Sequence, residues 1–137
     1  MNDTLTQDPK IDAVQRLYAG VFANDVDAIL AELADDVDWA AEAASTSVPW
    51  SGVCDGTAEV PRFFEALGTN IDITEWEQVA CAASDTDVMV VIRWSYTVKA
   101  TGKTARMYMQ HWWRFADGKI AFFRGSEDSA QSAAAFE

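Results

Sequence analysis

The second half of the chain alternates apolar and polar residues over long segments that are separated by short turns. These segments span residues 71–83, 86–99, 103–116 and 119–127. The joints between them are Ser84-Asp85, Thr101-Gly102 and Asp117-Gly118. Joints of this kind are typical of hairpins between antiparallel strands. The pattern predicts an antiparallel meander, and one face of that sheet must be covered by other elements.

The first half supplies helices that can cover the sheet. Asp8-Pro9 is a helix start, with Asp as the cap and Pro at the first helical position. Apolar residues then recur at helical spacing through Phe22, and Asn24-Asp25 caps a second, short helix. Thr57 is predicted to cap a third helix that Gly68 closes.

Between these helices we expect a short strand, residues 37–41, and a loop over residues 43–56. The tail SAQSAAAF is expected to add a helical turn. Helices first and a meander second predict an α+β fold, with three N-terminal helices packed on one face of a curved antiparallel sheet.

Length and charge narrow the class of protein. The 137 residues fit a single domain, taken here as 1–137. Ten Lys and Arg against 22 Asp and Glu give a net charge of −12, which repels phosphate backbones and anionic lipid heads. We therefore expect neither a nucleic-acid partner nor a membrane partner.

The N-terminus lacks the pattern of a signal peptide, and no apolar stretch approaches the ~20 residues of a membrane span. The two cysteines, Cys54 and Cys81, do not make a disulfide scaffold. The expected location is the cytoplasm, with both thiols free.

Strand periodicity brings one ionisable residue onto an apolar face. In the segment 103–116, His111 shares its face with methionine and aromatic residues, and the preceding segment contributes Trp94 and Tyr96 to the same side. A solid aromatic core and a lined cavity are both consistent with this pattern. We favour a cavity of roughly 300 Å³ or more that faces His111.

Three stretches together resemble the SnoaL-like and ketosteroid-isomerase-like members of the nuclear transport factor 2-like superfamily. They are AVQRLYAGVFANDVDAILAELADDVDW, VPWSGVCDGTAEVPRFFEALG and HWWRFADGKIAFFRGSEDSAQSAAAF. The resemblance covers nearly the whole chain. It implies a cone that encloses a hydrophobic pocket between helices and sheet, and a homodimer.

The resemblance also suggests roles for individual residues. His111 falls where ketosteroid isomerases place an oxyanion-stabilising Asp, whereas their general base falls on Ala41 and their oxyanion Tyr on Leu17, one step from Tyr18. The last strand keeps the Arg and Asp of a SnoaL-like Arg-x-Tyr-x-Asp pattern as Arg124 and Asp128. Glu127 has the better inward parity and Asp128 the motif match, so either carboxylate can pair with His111.

The predicted function is cofactor-free acid–base chemistry on an apolar cyclic carbonyl compound, of the polyketide cyclase or ketosteroid isomerase type, with no metal site. His111, Glu127 and Asp128 are the candidate catalytic residues. The candidate substrate-binding residues are Trp39, Trp50, Trp94, Tyr96, Met109, Trp113 and Phe123. The alternative is a non-catalytic module that binds a hydrophobic ligand or a protein partner.

The opposite face of the strand 103–116 predicts an interface. Tyr108 and Trp112 lie there among Arg93, Arg106 and Arg114, and exposed aromatics flanked by arginine are typical of protein interfaces. We expect a homodimer through this face.

Overall fold

The computed structural model describes residues 7–41 and 48–137, which form four helices and six strands. In chain order they are α1 (Pro9–Phe22), α2 (Val26–Leu30), β1 (Leu33–Ala41), β2 (Gly52–Asp55), α3 (Val60–Asn70), β3 (Ile71–Ala83), β4 (Asp87–Val98), β5 (Thr104–Ala116), β6 (Lys119–Ser126) and α4 (Ser129–Phe136). Among the described residues, no helix is long and apolar enough to cross a membrane.

The two N-terminal helices begin where their capping residues predict. The Asp8 carboxylate accepts a hydrogen bond from Lys10 N at 2.8 Å, and Pro9 occupies the first turn. Asp25 caps α2 in the same way through Ala28 N. The apolar stripe of α1 is buried against the sheet along Val14, Leu17 and Tyr18.

The predicted limits of the third helix are wrong at both ends. α3 begins at Val60, because the Thr57 N–H donates to the Asp35 carbonyl of β1 and is drawn into a turn that precedes the helix. Gly68 lies inside the helix rather than after it. The Asn70 amide donates to the Ala66 carbonyl at 2.7 Å and satisfies one of the last carbonyls of α3.

The sheet is mixed, so the prediction of an antiparallel sheet is wrong for one pair of strands. The strand order is β2-β1-β6-β5-β4-β3, and β1 runs parallel to β6 while all other pairs are antiparallel. Backbone pairing between Glu32 O and Ile120 N starts this parallel contact beside α2. The contact joins the two halves of the chain and places β6 inside the sheet.

The sheet is curved and does not close on itself. Register shifts interrupt the β3–β4 pair twice, between Ile73 and Glu75 and between Gln78 and Ala80. Bulges of this kind bend a strand and increase its twist. The core lies on the concave side, where β4 and β5 contribute every second residue, as the alternating pattern predicts.

Two elements, the strand β2 before the meander and the helix α4 after it, differ from what the sequence predicts. Residues 43–47 of the region predicted as a loop lie outside the described residues, and residues 52–55 of that region form the edge strand β2. The C-terminal tail forms the eight-residue helix α4, which is longer than one turn. The fold therefore has a fourth helix in addition to the three predicted ones.

The turn between β2 and α3 gives a test of the fold. Gly56 has φ +80°, and a Cβ there would lie 3.0 Å from the Asp35 carbonyl oxygen, whereas Gly102 has φ +71° and open space around it. We expect Gly102→Ala to lower the free energy of unfolding by ~1 kcal/mol, through the left-handed backbone alone, and Gly56→Ala by ~2 kcal/mol or more. Chemical denaturation measures both. Equal losses would contradict the close packing of this turn against β1.

Candidate functional site

A cavity lies on the concave side of the sheet, between α1, α3 and strands β3 to β6. Its walls are almost entirely apolar, and Tyr18, His111 and Glu127 are the titratable residues among the described lining. The volume is about 50 Å³. This space suits a few water molecules, so the expected volume of roughly 300 Å³ is wrong for this conformation.

Aromatic side chains occupy the space that the sequence pattern left open for a ligand. The Trp39 and Phe123 ring centroids are 4.2 Å apart, and those of Trp113 and Phe123 are 4.4 Å apart. Phe63 and Phe64 of α3 contact Trp39 from the helix side, edge to face. This cluster fills the β6 end of the cavity.

The absence of a side chain at Gly125 leaves space for this aromatic cluster. It pairs with His111 across β5 and β6. A Cβ at Gly125 would lie 2.9 Å from Phe123 Cζ and 3.7 Å from His111 Cδ2. The missing side chain lets the Phe123 ring lie against the strand next to the imidazole, where the His111 and Phe123 centroids are 5.1 Å apart.

His111 is held by a phenol rather than by a carboxylate. Its Nδ1 lies 2.7 Å from the Tyr18 hydroxyl, which also accepts a hydrogen bond from Trp113 Nε1 at 3.3 Å. The Trp113 donor occupies one acceptor site of the phenol oxygen, and we assign the phenol hydrogen as the donor to Nδ1. With this assignment, the neutral ring carries its own proton on Nε2.

Burial keeps both members of this pair uncharged. His111 is 9% exposed among aromatic rings, and its desolvation lowers its pKa from 6.5 to about 3. Desolvation also raises the pKa of Tyr18 far above its usual range. At neutral pH the site therefore holds a neutral imidazole and a protonated phenol.

Glu127 lies just beyond the end of β6, and both of its carboxyl oxygens have partners. Trp50 Nε1 donates to Oε1 at 3.0 Å, and the Ser132 hydroxyl of α4 contacts Oε2. Tyr96 in turn donates to Ser132 Oγ at 2.7 Å. Desolvation raises the pKa of the Glu127 carboxyl, and the bonds from Ser132 and Trp50 oppose that rise.

The structure brings most of the predicted site residues to the same cavity. Those that line it are Trp39, Trp50, Trp94, Met109, His111, Trp113, Phe123 and Glu127. Tyr96 is fully buried and reaches the site through Ser132. Asp128 is exposed and caps α4 through Gln131 N at 3.1 Å, so it lies outside the cavity. Neither carboxylate bonds His111, whose Nδ1 partner is Tyr18.

Sequence reasoning missed Tyr18, Trp76 and Ser132. The sequence places Tyr18 on the apolar face of α1, one step from the position of the isomerase oxyanion Tyr, and the resemblance assigns it no role. A phenol on a buried helix face nevertheless needs a hydrogen-bond partner. Trp76 lines the cavity from β3. Two bulges in this strand change which residues face inwards, so strict alternation does not predict the position of Trp76. Nothing in the tail sequence distinguished Ser132 from its small neighbours.

The convex face of the sheet carries the aromatic residues predicted for an interface. Tyr108 is 53% exposed, and the Arg93 guanidinium lies 5.0 Å from its ring centroid. Trp112 packs against Phe122 and donates through Nε1 to Asp87 at 2.8 Å. The Arg114 hydrogen bond holds the pKa of Asp87 well below its usual range. Aromatic rings and guanidinium groups therefore pack against one another on this face.

Comparison with solved structures identifies the fold. The chain is similar to an NTF2-like protein from Burkholderia thailandensis, with 27% identity, a TM-score of 0.82, and coverage of 96% of this chain and 99% of that one. An NTF2-like protein from Burkholderia xenovorans matches with 20% identity, a TM-score of 0.87, and coverage of 98% and 100%. A Xanthomonas campestris protein assigned provisionally as a polyketide cyclase matches with 19% identity, a TM-score of 0.77, and coverage of 94% and 97%.

Comparison with protein families identifies the sequence relationship. No curated protein matches the sequence significantly. The SnoaL-like domain family matches residues 14–123, which include most of α1, His111 and most of β6. The chain therefore belongs to the SnoaL-like family, and its fold is that of the NTF2-like and ketosteroid-isomerase-like proteins.

Proposed function

We propose that this protein is a cofactor-free acid–base enzyme of the polyketide cyclase or ketosteroid isomerase type, acting on an apolar cyclic carbonyl compound. The observation that carries the proposal is a buried imidazole, hydrogen-bonded through Nδ1 to Tyr18, that shares an apolar cavity with the Glu127 carboxyl. Similar structures with the names polyketide cyclase, isomerase and epoxide hydrolase support a small-molecule reaction.

In this proposal His111 polarises the substrate carbonyl. The Tyr18 hydroxyl occupies Nδ1, so the Nε2–H is the donor that remains for a ligand. A neutral donor in a dry, apolar site stabilises negative charge that develops on an oxygen, and it needs no reorganisation during the reaction. Tyr18 is a positioning residue, because it acts on the substrate through His111.

Glu127 is the proposed proton carrier. It lies two residues beyond Gly125, the partner of His111 across the sheet, and it lines the same cavity. The carboxylate takes a proton from the carbon next to the carbonyl, the C–H electron pair forms the enolate double bond, and the carbonyl electrons move to the oxygen beside Nε2. The proton then returns from Glu127 to another carbon of the conjugated system, which completes an isomerisation without a co-reactant. A raised carboxyl pKa favours this role.

Charge in the cavity favours an uncharged substrate. No Lys or Arg is among the described residues that line it, and Glu127 is its one acidic member there. An organic anion would be buried without a counter-ion and beside a carboxyl group, at a large desolvation cost. We therefore propose a neutral ligand with a carbonyl as its main polar group.

The second candidate function is a binding module without catalysis. It is favoured by the aromatic rings that fill the cavity and by the existing partners of Glu127, Trp50 and Ser132. Turnover distinguishes the two functions, since a binding module changes no bond in its ligand.

The role of His111 can be tested by two substitutions. We expect His111→Phe to keep the fold and ligand binding but to lower turnover by about 10²–10³-fold or more, because the donor to the developing oxyanion is lost. His111→Gln keeps a donor and should retain a trace of activity. Isomerisation or cyclisation of a panel of enones and polyketides measures both. Wild-type turnover in both variants would assign His111 a structural role.

The buried imidazole also predicts how stability depends on pH. His111 is the one histidine of the chain. Its folded pKa of about 3 is below the unfolded value of 6.5, so the unfolded state binds the additional proton between these values. As the pH falls from 6.5 towards 3, the wild type should lose stability relative to His111→Gln, by up to about 1.4 kcal/mol per pH unit. Urea unfolding at several pH values measures the difference, and parallel curves for the two proteins would contradict a neutral buried His111.

We further propose that the protein is a homodimer through the convex face around Tyr108 and Trp112. Trp112→Glu should produce monomers, because it places a charge in a desolvated aromatic contact. Tyr108→Glu is a second variant at a more exposed position, and Val53→Glu, 56% exposed on β2, is the control that should remain dimeric. Light scattering measures the mass. A monomeric wild type would contradict this interface.

A further inference from the structure

A groove on the surface lies directly outside the cavity. It runs between the C-terminal end of α1, α2, α3 and the start of β3, and its volume is about 260 Å³. Its rim includes Phe22, which is 53% exposed and therefore one of the large apolar side chains that the fold leaves in contact with water. Among the described lining residues, Asp72 is the one charged group.

A single layer of side chains separates this groove from the cavity. Val21, Phe64, Leu67 and Ile73 line both spaces. They come from three elements, α1, α3 and β3, and all four are apolar. Rotation of these side chains would join the two spaces without exposing an unpaired polar group of their own.

The two volumes differ in what they can hold. The cavity of about 50 Å³ contains the His111 donor but is smaller than a compound of several rings needs. The groove of about 260 Å³ has room for an apolar body but lacks the imidazole. Joined through the shared layer, they reach the size range of small-molecule sites.

We propose that Val21, Phe64, Leu67 and Ile73 form a gate, and that the substrate is an elongated neutral carbonyl compound whose carbonyl ring passes the gate to His111 while its apolar body lies in the groove. The inference rests on the proposed function for the identity of the polar end. The groove then acts as the specificity element, because it selects ligands longer than one ring.

Gly68 offers a substitution that blocks the groove alone. It lies in α3 and lines the groove but not the cavity, and a Cβ added there meets no atom within 4 Å. Gly is also a poor helix former, so a larger residue is compatible with α3. Gly68→Phe fills the groove with a ring, and Glu65→Phe, on an exposed position of α3 outside the groove, is the matched control.

The experiment compares two neutral enones, cyclohex-2-enone with one ring and androst-4-ene-3,17-dione with four. Quenching of tryptophan fluorescence gives each dissociation constant, since Trp76 lines the cavity and packs 5.2 Å from Phe22 at the groove rim. In Gly68→Phe we expect the constant for the four-ring probe to rise at least tenfold relative to that for the one-ring probe. In Glu65→Phe we expect the ratio to stay as in the wild type.

Other outcomes would overturn the gate. They are an equal change for both probes in Gly68→Phe, a change of similar size in Glu65→Phe, or a wild type that does not bind the four-ring probe.

Leu67→Ala is a second test, because a smaller side chain in the gate should speed association of the four-ring probe in stopped-flow measurements. An unchanged association rate would contradict the gate. If Gly68→Phe weakens binding of the four-ring probe selectively but the wild type turns over no enone, the gate is supported and the proposed function is refuted.

Discussion

The hydrogen bond between Tyr18 and His111 joins the first helix to the centre of the sheet. An imidazole among tryptophan and phenylalanine rings loses the hydration that would stabilise its charge, so it can remain there only as a neutral group with a partner for its acceptor nitrogen. The phenol supplies that partner at 2.7 Å and is itself satisfied by Trp113. The face of α1 that meets the sheet and the direction of the free nitrogen of His111 both depend on this contact.

The parallel pairing of β1 and β6 gives the site its carboxyl group. Because β1 covers the outer side of β6, the last strand lies inside the sheet, and the residues that follow it remain over the concave face. Glu127 leaves β6 at this point, between the Trp50 indole and the Ser132 hydroxyl. A meander whose last strand lay at the edge would carry the same carboxylate next to solvent, with an ordinary pKa.

The sequence allowed prediction of the features that depend on near neighbours. The start of α1 at Pro9, the three hairpins and the alternation that places His111 inside follow from capping, turn chemistry and the two-residue strand period. The partner of His111 did not follow, because Tyr18 lies 93 positions away and a one-residue difference in alignment placed Leu17 in its role. The β1–β6 pairing and the small cavity volume also depend on contacts between residues far apart in the sequence. The alternation of residues along a single strand does not predict such contacts.

Gly125 and Phe123 constrain the order in which this site can change by mutation. A Cβ at position 125 would lie 2.9 Å from the Phe123 ring. Any residue larger than glycine at 125 therefore clashes with that ring while Phe123 remains. A smaller residue at 123 first removes that barrier, but it opens a void beside Trp39 and Trp113. Substitution at these two positions therefore has a preferred order, in which 123 changes before 125, and the two positions should vary together among descendants of this chain.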